Sequence, residues 1–147
     1  MPRKLNVTLV WKGVYNNPAG VPNNAGVYMV IAGSKASDGK WDTSSYKLLD
    51  IGQSGEAGPR LDTHNRKDCW INNKPPNKTI IYKFARMSSE NFDETARRIV
   101  ECCLRAHTRP PCGTECNEGY ERDDVVTILN KGIQTPLEGK YVCGPKP

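Results

Sequence analysis

The alternation of apolar and polar residues predicts strands in the first half of the chain. Residues 5–11, LNVTLVW, alternate apolar with polar side chains, as a half-buried strand does. Two apolar runs follow, VYMVIAG from Val27 and YKLLDIG from Tyr46, with a polar stretch between them. We expect these runs to pair as a hairpin with a long exposed connection. A further strand is predicted at TIIYKFARM, from Thr79, because its side chains alternate between two sides.

Helical periodicity is clearest over residues 88–107, SSENFDETARRIVECCLRAH. The apolar side chains form one stripe, and acids lie early and basic residues late, as the helix dipole prefers. We expect Ser89 to cap this helix. A shorter helix is predicted from Pro59 to about Cys69, because the first turn of a helix tolerates proline. Residues 120–132, YERDDVVTILNKG, predict a short helix, and the tail predicts irregular structure or a late strand.

Together these elements predict an α+β fold, in which helices flank a small, mainly antiparallel sheet of three to four strands. At 147 residues the chain fits a single domain, residues 1–147. No apolar run approaches the roughly 18 residues that a membrane-spanning helix needs, so we expect no membrane partner. The basic start reads as a strand and not as a signal peptide, which favours a cytoplasmic location.

The six cysteines allow three disulfides or free thiols. Cys102 and Cys103 are adjacent within a helical pattern, where buried thiols pack like small hydrophobic side chains. We therefore expect reduced thiols, as in the cytosol. A zinc site is an alternative, although no close Cys-x-x-Cys pair supports it. Its candidate ligands are His107, Cys112, Cys116 and Cys143.

The net charge of +5 is concentrated in one part of the chain. Between Arg60 and Arg109 there are eleven basic and six acidic residues, so this segment accounts for the whole excess. A segment of one sign suits nucleic acid, although a solvated basic surface would have the same composition. The candidate nucleic-acid contacts are Arg66, Lys67, Arg97 and Arg105, together with Lys35 and Lys40 near the connection between the two hairpin strands.

Residues 48–65, LLDIGQSGEAGPRLDTHN, pass from a strand through a glycine-rich loop into a helix. Arg60 and His64 lie four residues apart and therefore share one helical face. The loop lacks the lysine and hydroxyl of a P-loop. The surrounding tripeptides are GVY at 26–28 and DIG at 50–52, and Arg60 follows Asp50 by ten residues.

This ordered set resembles the GIY-YIG nuclease family, in which a GIY tripeptide, a YIG tripeptide, an arginine, a histidine or tyrosine and a helical glutamate surround a phosphodiester. The matching glutamate is Glu101, followed by a leucine three residues later and by Pro-Pro nine residues later. The resemblance covers roughly residues 25–115. It implies a catalytic core there, with an N-terminal strand and a C-terminal extension outside it.

The resemblance also implies a function: a divalent-metal-dependent endonuclease that hydrolyses DNA phosphodiester bonds with Mg²⁺ or Mn²⁺. Glu101 would hold the metal, Arg60 would clamp the phosphate, and Tyr28 with His64 would orient or deprotonate the water. Such a chain could be restriction-like, or belong to a mobile element or a repair system. Each residue taken alone also fits a structural role, such as core packing for Tyr28 or an ion pair for Glu101.

Two positions depart from the family pattern. Asp50 stands where the family has the first tyrosine of YIG; near a phosphate it would repel, and near Mg²⁺ it could be a second ligand. Gly113 stands where the family has an asparagine. These departures motivate the alternative of a catalytically impaired nucleic-acid-binding module, and a third alternative is a protein that binds an acidic partner. Cutting both DNA strands usually needs two active sites, so a homodimer is a candidate assembly.

Overall fold

A computed structural model describes residues 2–132 and 136–145 of the chain. The strands are β1 (Lys4–Tyr15), β2 (Gly26–Lys35), β3 (Trp41–Ser54), β4 (Thr79–Arg86), β5 (Val125–Gly132) and β6 (Lys140–Cys143). The helices are α1 (Ala57–Asp62), α2 (Lys67–Asn73) and α3 (Glu94–Thr108), and Pro18–Gly20 forms one 3-10 turn. The strands form one curled, mixed sheet in the order β3-β2-β4-β1-β5-β6.

The predicted fold class is wrong: the sheet is neither small nor mainly flanked by helices. It has six strands, and β1 and β5 pair in parallel. The main error lies at VVTIL, where a strand forms in place of the predicted short helix. β-Branched residues lose side-chain freedom in a helix but pack well on a sheet. β6 then adds to the edge beyond β5 and extends the sheet further.

β1 lies inside the sheet, between β4 and β5. Its alternating pattern buries Val7, Leu9 and Trp11, as the sequence predicted for a half-buried strand. The indole N–H of Trp11 donates to the side-chain oxygen of Asn130 at 2.9 Å, so a buried polar pair joins β1 to β5. β2 and β3 form the predicted hairpin, but the predicted long connection is wrong: the two strands extend through most of the polar stretch, and only residues 36–40 connect them.

The helices differ from the predictions at their ends. α3 begins at Glu94, and its cap is Asp93, whose carboxylate accepts from the backbone N–H of Ala96 at 2.8 Å. The predicted helix from Pro59 to Cys69 is broken into α1 and α2. At the break, the backbone N–H of Arg66 donates to Nδ1 of His64 at 3.0 Å, so a side chain replaces the helical acceptor.

The two faces of the sheet carry separate clusters of apolar side chains. α3 packs on the face that carries Leu9, Met29 and Ile81. α1 and α2 pack on the other face, against Tyr28 and Tyr82. The alternation of a strand explains the division, because neighbouring residues point to opposite faces. Within the described part of the chain, no helix is both long and apolar enough to cross a membrane.

All six cysteines pair, so the expectation of reduced thiols is wrong. The disulfides are Cys69–Cys112, Cys102–Cys116 and Cys103–Cys143. Adjacent residues of a helix point about 100° apart, which lets Cys102 and Cys103 reach different partners. The three cysteines among the candidate zinc ligands, Cys112, Cys116 and Cys143, belong one to each of these bonds. The sulfurs of Cys103 and Cys143 lie within 4.8 Å of a ring nitrogen of His107, but they are bonded to each other and offer no thiolate.

Candidate functional site

Tyr28 projects from β2 across the neighbouring strand and is buried. It lies directly opposite Gly52 of β3. A Cβ atom at Gly52 would lie 2.1 Å from the Tyr28 hydroxyl oxygen, so a side chain there would displace the tyrosine. The glycine of the DIG tripeptide therefore makes room for the ring of the GVY tyrosine.

His64 is buried beside Tyr28, and its Nε2 lies 2.7 Å from the tyrosine hydroxyl. Because Nδ1 accepts the backbone N–H of Arg66, the neutral ring carries its proton on Nε2 and donates it to Tyr28. Burial, with the positive charges of Arg66 and Arg60, lowers the pKa of His64 to about 3. Burial also raises the pKa of Tyr28. At neutral pH the pair is therefore uncharged, and the Tyr28 hydroxyl keeps its proton.

Asp50 lies at the centre of a group of hydrogen-bond donors. It is fully buried, and its carboxylate accepts from Arg66 through Nε at 2.7 Å and Nη2 at 3.3 Å. The indole N–H of Trp70 donates to it at 2.8 Å, and Nη2 of Arg105 lies 3.7 Å away. The Asp50 carboxylate therefore holds Arg66 and Arg105 in place. This role differs from that of a metal ligand, which the sequence analysis allowed for Asp50.

Gly113 touches the same group, so the two departures from the family pattern are neighbours in space. A Cβ atom at Gly113 would lie 2.5 Å from Oδ1 of Asp50 and 2.7 Å from Nη2 of Arg105. Its backbone φ of +69° also favours glycine. The absence of a side chain at position 113 thus leaves the space in which Asp50 and Arg105 meet.

Glu101 projects from α3 to the edge strand β3. Its Oε2 accepts from the backbone N–H of Gln53 at 2.9 Å, and its Oε1 lies 3.5 Å from Nη1 of Arg105. Burial raises the pKa of Glu101, and Arg105 opposes that rise. The side chain keeps 15% of its surface exposed, so a ligand can reach it.

The predicted basic residues have different surroundings. Arg97 and Arg105 are buried and donate to Gln53 and to the carbonyl of Ile51, at 3.0 and 2.8 Å. The Arg66 side chain is 28% exposed, and it contacts Asp50 through Nε and Nη2.

Arg60 and Lys67 flank the break between α1 and α2. Nη2 of Arg60 donates to the side chain of Asn65 at 3.3 Å, and the Lys67 ammonium donates to the carbonyl of Asp62.

Lys35 and Lys40 lie away from this region. Lys35 is at the far end of β2 from Tyr28, roughly 23 Å along the strand. Its ammonium sits 5.3 Å from the centre of the Trp41 ring. Lys40 belongs to the connecting turn and is exposed.

The remaining predicted residues come together at one end of the hairpin. The pKa of Tyr28 is raised mainly by burial; the charges of Asp50 and Glu101 also raise it, and those of Arg66 and Arg60 lower it. We call Tyr28, His64, Asp50, Arg66 and Glu101 the hairpin-end site. Sequence reasoning named all five but missed that Asp50 supports Arg66. The available signal was that Asp50 lies close in sequence to the basic segment between Arg60 and Arg109. That signal did not specify which arginine Asp50 contacts.

The donor set is compatible with Mg²⁺ or Mn²⁺. Mg²⁺ commonly binds one or two carboxylates, with water and phosphate oxygens completing its shell. Glu101 fits the role of a single protein ligand, because it is partly exposed and each of its oxygens has only one nearby donor. Asp50 does not fit, because donors surround both of its oxygens. Comparisons with protein families, curated proteins and solved structures find no match for the chain.

Proposed function

We propose that this chain is a divalent-metal-dependent endonuclease that hydrolyses DNA phosphodiester bonds, related to the GIY-YIG nucleases. The observation that carries the proposal is the buried hydrogen bond between Tyr28 and His64, in a region that also contains the partly exposed side chains of Arg66 and Glu101. A phosphodiester needs hydrogen-bond donors and positive charge, and this end of the hairpin supplies both.

In the proposed reaction, Arg66 binds the phosphate through the N–H groups that do not face Asp50. Tyr28 donates a hydrogen bond through its phenolic O–H to a phosphate oxygen, and His64 holds the hydroxyl in place. A solvent water attacks the phosphorus and loses its proton to bulk solvent, while the P–O bond to the leaving oxygen breaks and that oxygen takes a proton from solvent. Since the His64 pKa is about 3, this orientation persists throughout the neutral range. Mg²⁺ or Mn²⁺ at Glu101 would add positive charge beside the phosphate and the leaving oxygen.

Glu101→Gln tests the proposal most directly. We expect wild-type protein to nick supercoiled plasmid with Mg²⁺ or Mn²⁺, and the variant to be slower by about 100-fold or more, because an amide is a poor ligand for these ions. The matched control is Glu94→Gln, an exposed glutamate of the same helix that pairs with Arg98. Gel separation of supercoiled and nicked forms measures the rates. Equal rates for Glu101→Gln and wild type would place the metal elsewhere.

Arg66→Lys should impair cleavage more than Arg60→Lys. Lysine keeps the charge but cannot hold Asp50 and a phosphate through one planar group. Losing one charge-assisted hydrogen bond, worth about 1.5–3 kcal/mol, predicts a rate loss of about 10- to 100-fold in single-turnover cleavage. Arg60→Lys should retain nearly full activity, because the Arg60 side chain contacts only Asn65 among the hydrogen-bond partners in the described residues. The reverse order would assign the phosphate to Arg60.

A nucleic-acid-binding module without cleavage is the second candidate function. It is favoured by Asp50, which replaces the family tyrosine and is surrounded by donors. This module would bind DNA in a salt-sensitive way and leave plasmid intact with both metal ions. We propose a homodimer only for the cleaving form, where two sites would cut two strands.

The disulfides bear on the cellular compartment of the protein. Three disulfides favour an oxidising environment over the cytoplasm that the sequence predicted. We therefore place the proposed activity where thiols are oxidised.

A further inference from the structure

The strands β1, β5 and β6 expose one side of the sheet with a uniform charge. We define the lysine face as the outward side chains of these strands, which include Lys12, Lys131, Lys140, Val10, Leu129 and Val142. All six are exposed. None of the three strands contains an aspartate or glutamate. Within residues 2–132 and 136–145, no ion pair involves Lys12, Lys131 or Lys140.

Protection of the sheet edge does not explain these lysines. Natural sheets often carry lysine on an edge strand, where it discourages pairing with another chain. That explanation covers Lys140, because β6 is an edge strand. Lys12 and Lys131 lie on β1 and β5, which both have a neighbour on each side. A row of cations on interior strands points to an anionic ligand.

The register of the sheet connects the lysine face with the hairpin-end site. Tyr28 lies opposite Phe84 of β4, and Phe84 lies opposite Lys12 of β1. Directly opposed residues share a face, so Tyr28 and Lys12 are on the same side of the sheet, about 10 Å apart at their backbones. Lys131 follows on the next strand, where it is one diagonal step from Lys12. The lysines thus continue away from the site along one side of the molecule.

We propose that the lysine face is a second contact surface, which binds the phosphate backbone of duplex DNA beyond the bond that is cut. The proposal rests on the proposed function. From β2 to β6 there are four strand spacings, about 19 Å, which corresponds to roughly six base pairs. Asn6 and Thr8 are exposed on the same face and can donate to phosphates or sugars.

Salt-dependent DNA binding tests this proposal. The probe is a fluorescent 24-base-pair duplex, titrated with the full chain carrying Glu101→Gln so that cleavage does not interfere. The test variant adds Lys12→Gln, Lys131→Gln and Lys140→Gln. If three phosphate contacts are lost, the slope of log affinity against log salt should become shallower by about 2.7. The matched control adds Lys47→Gln, Lys74→Gln and Lys78→Gln near the opposite edge and should keep the slope.

A second variant and a second readout separate the outcomes. A variant with Lys12→Arg, Lys131→Arg and Lys140→Arg keeps the charges and should keep the slope, which would attribute the loss in the Lys→Gln variant to the missing charge. In the wild-type background, the three Lys→Gln changes should raise KM for plasmid and leave kcat unchanged. An unchanged slope, or a change in oligomer size without one, would overturn the lysine face as a DNA surface. Failure of the wild type to cut, with the slope change retained, would count against the nuclease and not against this surface.

Discussion

Reducing all three disulfides should unfold the chain at ordinary temperature. The bonds close loops with sequence separations of 43, 14 and 40 residues. By loop-closure entropy each contributes about 3–4 kcal/mol, and together they are of the order of 10 kcal/mol. That is comparable with the whole free energy of unfolding of a typical domain, about 5–15 kcal/mol. Cys103 and Cys143 are both buried, so a reductant reaches that disulfide only during transient opening, whereas Cys69 and Cys116 are partly exposed.

Urea unfolding with and without a dithiol measures this effect. The reduced chain should lose its cooperative transition or move to a much lower midpoint. Paired alanine variants provide the internal comparison: Cys103→Ala with Cys143→Ala should cost more than Cys102→Ala with Cys116→Ala, because its loop is longer. A fully reduced chain with an unchanged midpoint would show that the apolar clusters suffice for stability.

Asp50→Ala should be the most damaging single substitution at the hairpin-end site. It would leave the buried Arg105 and the half-exposed Arg66 without their carboxylate, and the indole N–H of Trp70 without its acceptor. Removing one partner of a buried ion pair costs about 3–5 kcal/mol, because the remaining charge is uncompensated. The free energy of unfolding in urea should fall by that amount. Asp62→Ala, at an exposed aspartate of α1, is the control and should change it little.

The contact between Asp50 and Gly113 adds a sharper test. Gly113→Ala should destabilise the wild type, because its Cβ would crowd the Asp50 carboxylate and Arg105. In the Asp50→Ala background one of these crowded atoms is gone, so the same change should cost less. A coupling of about 0.5–3 kcal/mol is expected for residues in contact. Strict additivity of the two losses would mean that the two positions act independently.

The sequence predicted the hairpin of β2 and β3, the strand β4 and most of α3, because each has a clear period. It failed at β5, where a short helix was predicted and the partner strand β1 is more than a hundred residues away in sequence. It also missed the break between α1 and α2, since that break depends on a hydrogen bond from the backbone N–H of Arg66 to Nδ1 of His64. Periodicity does not report such bonds.

The hairpin-end site was only partly predictable for a related reason. The motif spacing placed Tyr28 near His64, and the two side chains are hydrogen bonded in the structure. The support of Arg66 by Asp50, and the contact of Asp50 with Gly113, depend on how the irregular segment after α3 returns to β3. The backbone N–H of Cys112 donates to the carbonyl of Leu49 at 3.0 Å, and this bond fixes the return. No local pattern encodes a contact across that separation.

The segment between α3 and β5 combines irregular backbone with dense cross-linking. Exposed irregular segments are the usual targets of proteases. Here Cys112 and Cys116 flank Gly113 and are bonded to Cys69 and Cys102. A peptide bond hydrolysed between Cys112 and Cys116 would leave the two fragments covalently joined through Cys102–Cys116 and Cys103–Cys143. The segment that carries Gly113 would therefore stay covalently attached to the rest of the protein after such a cut.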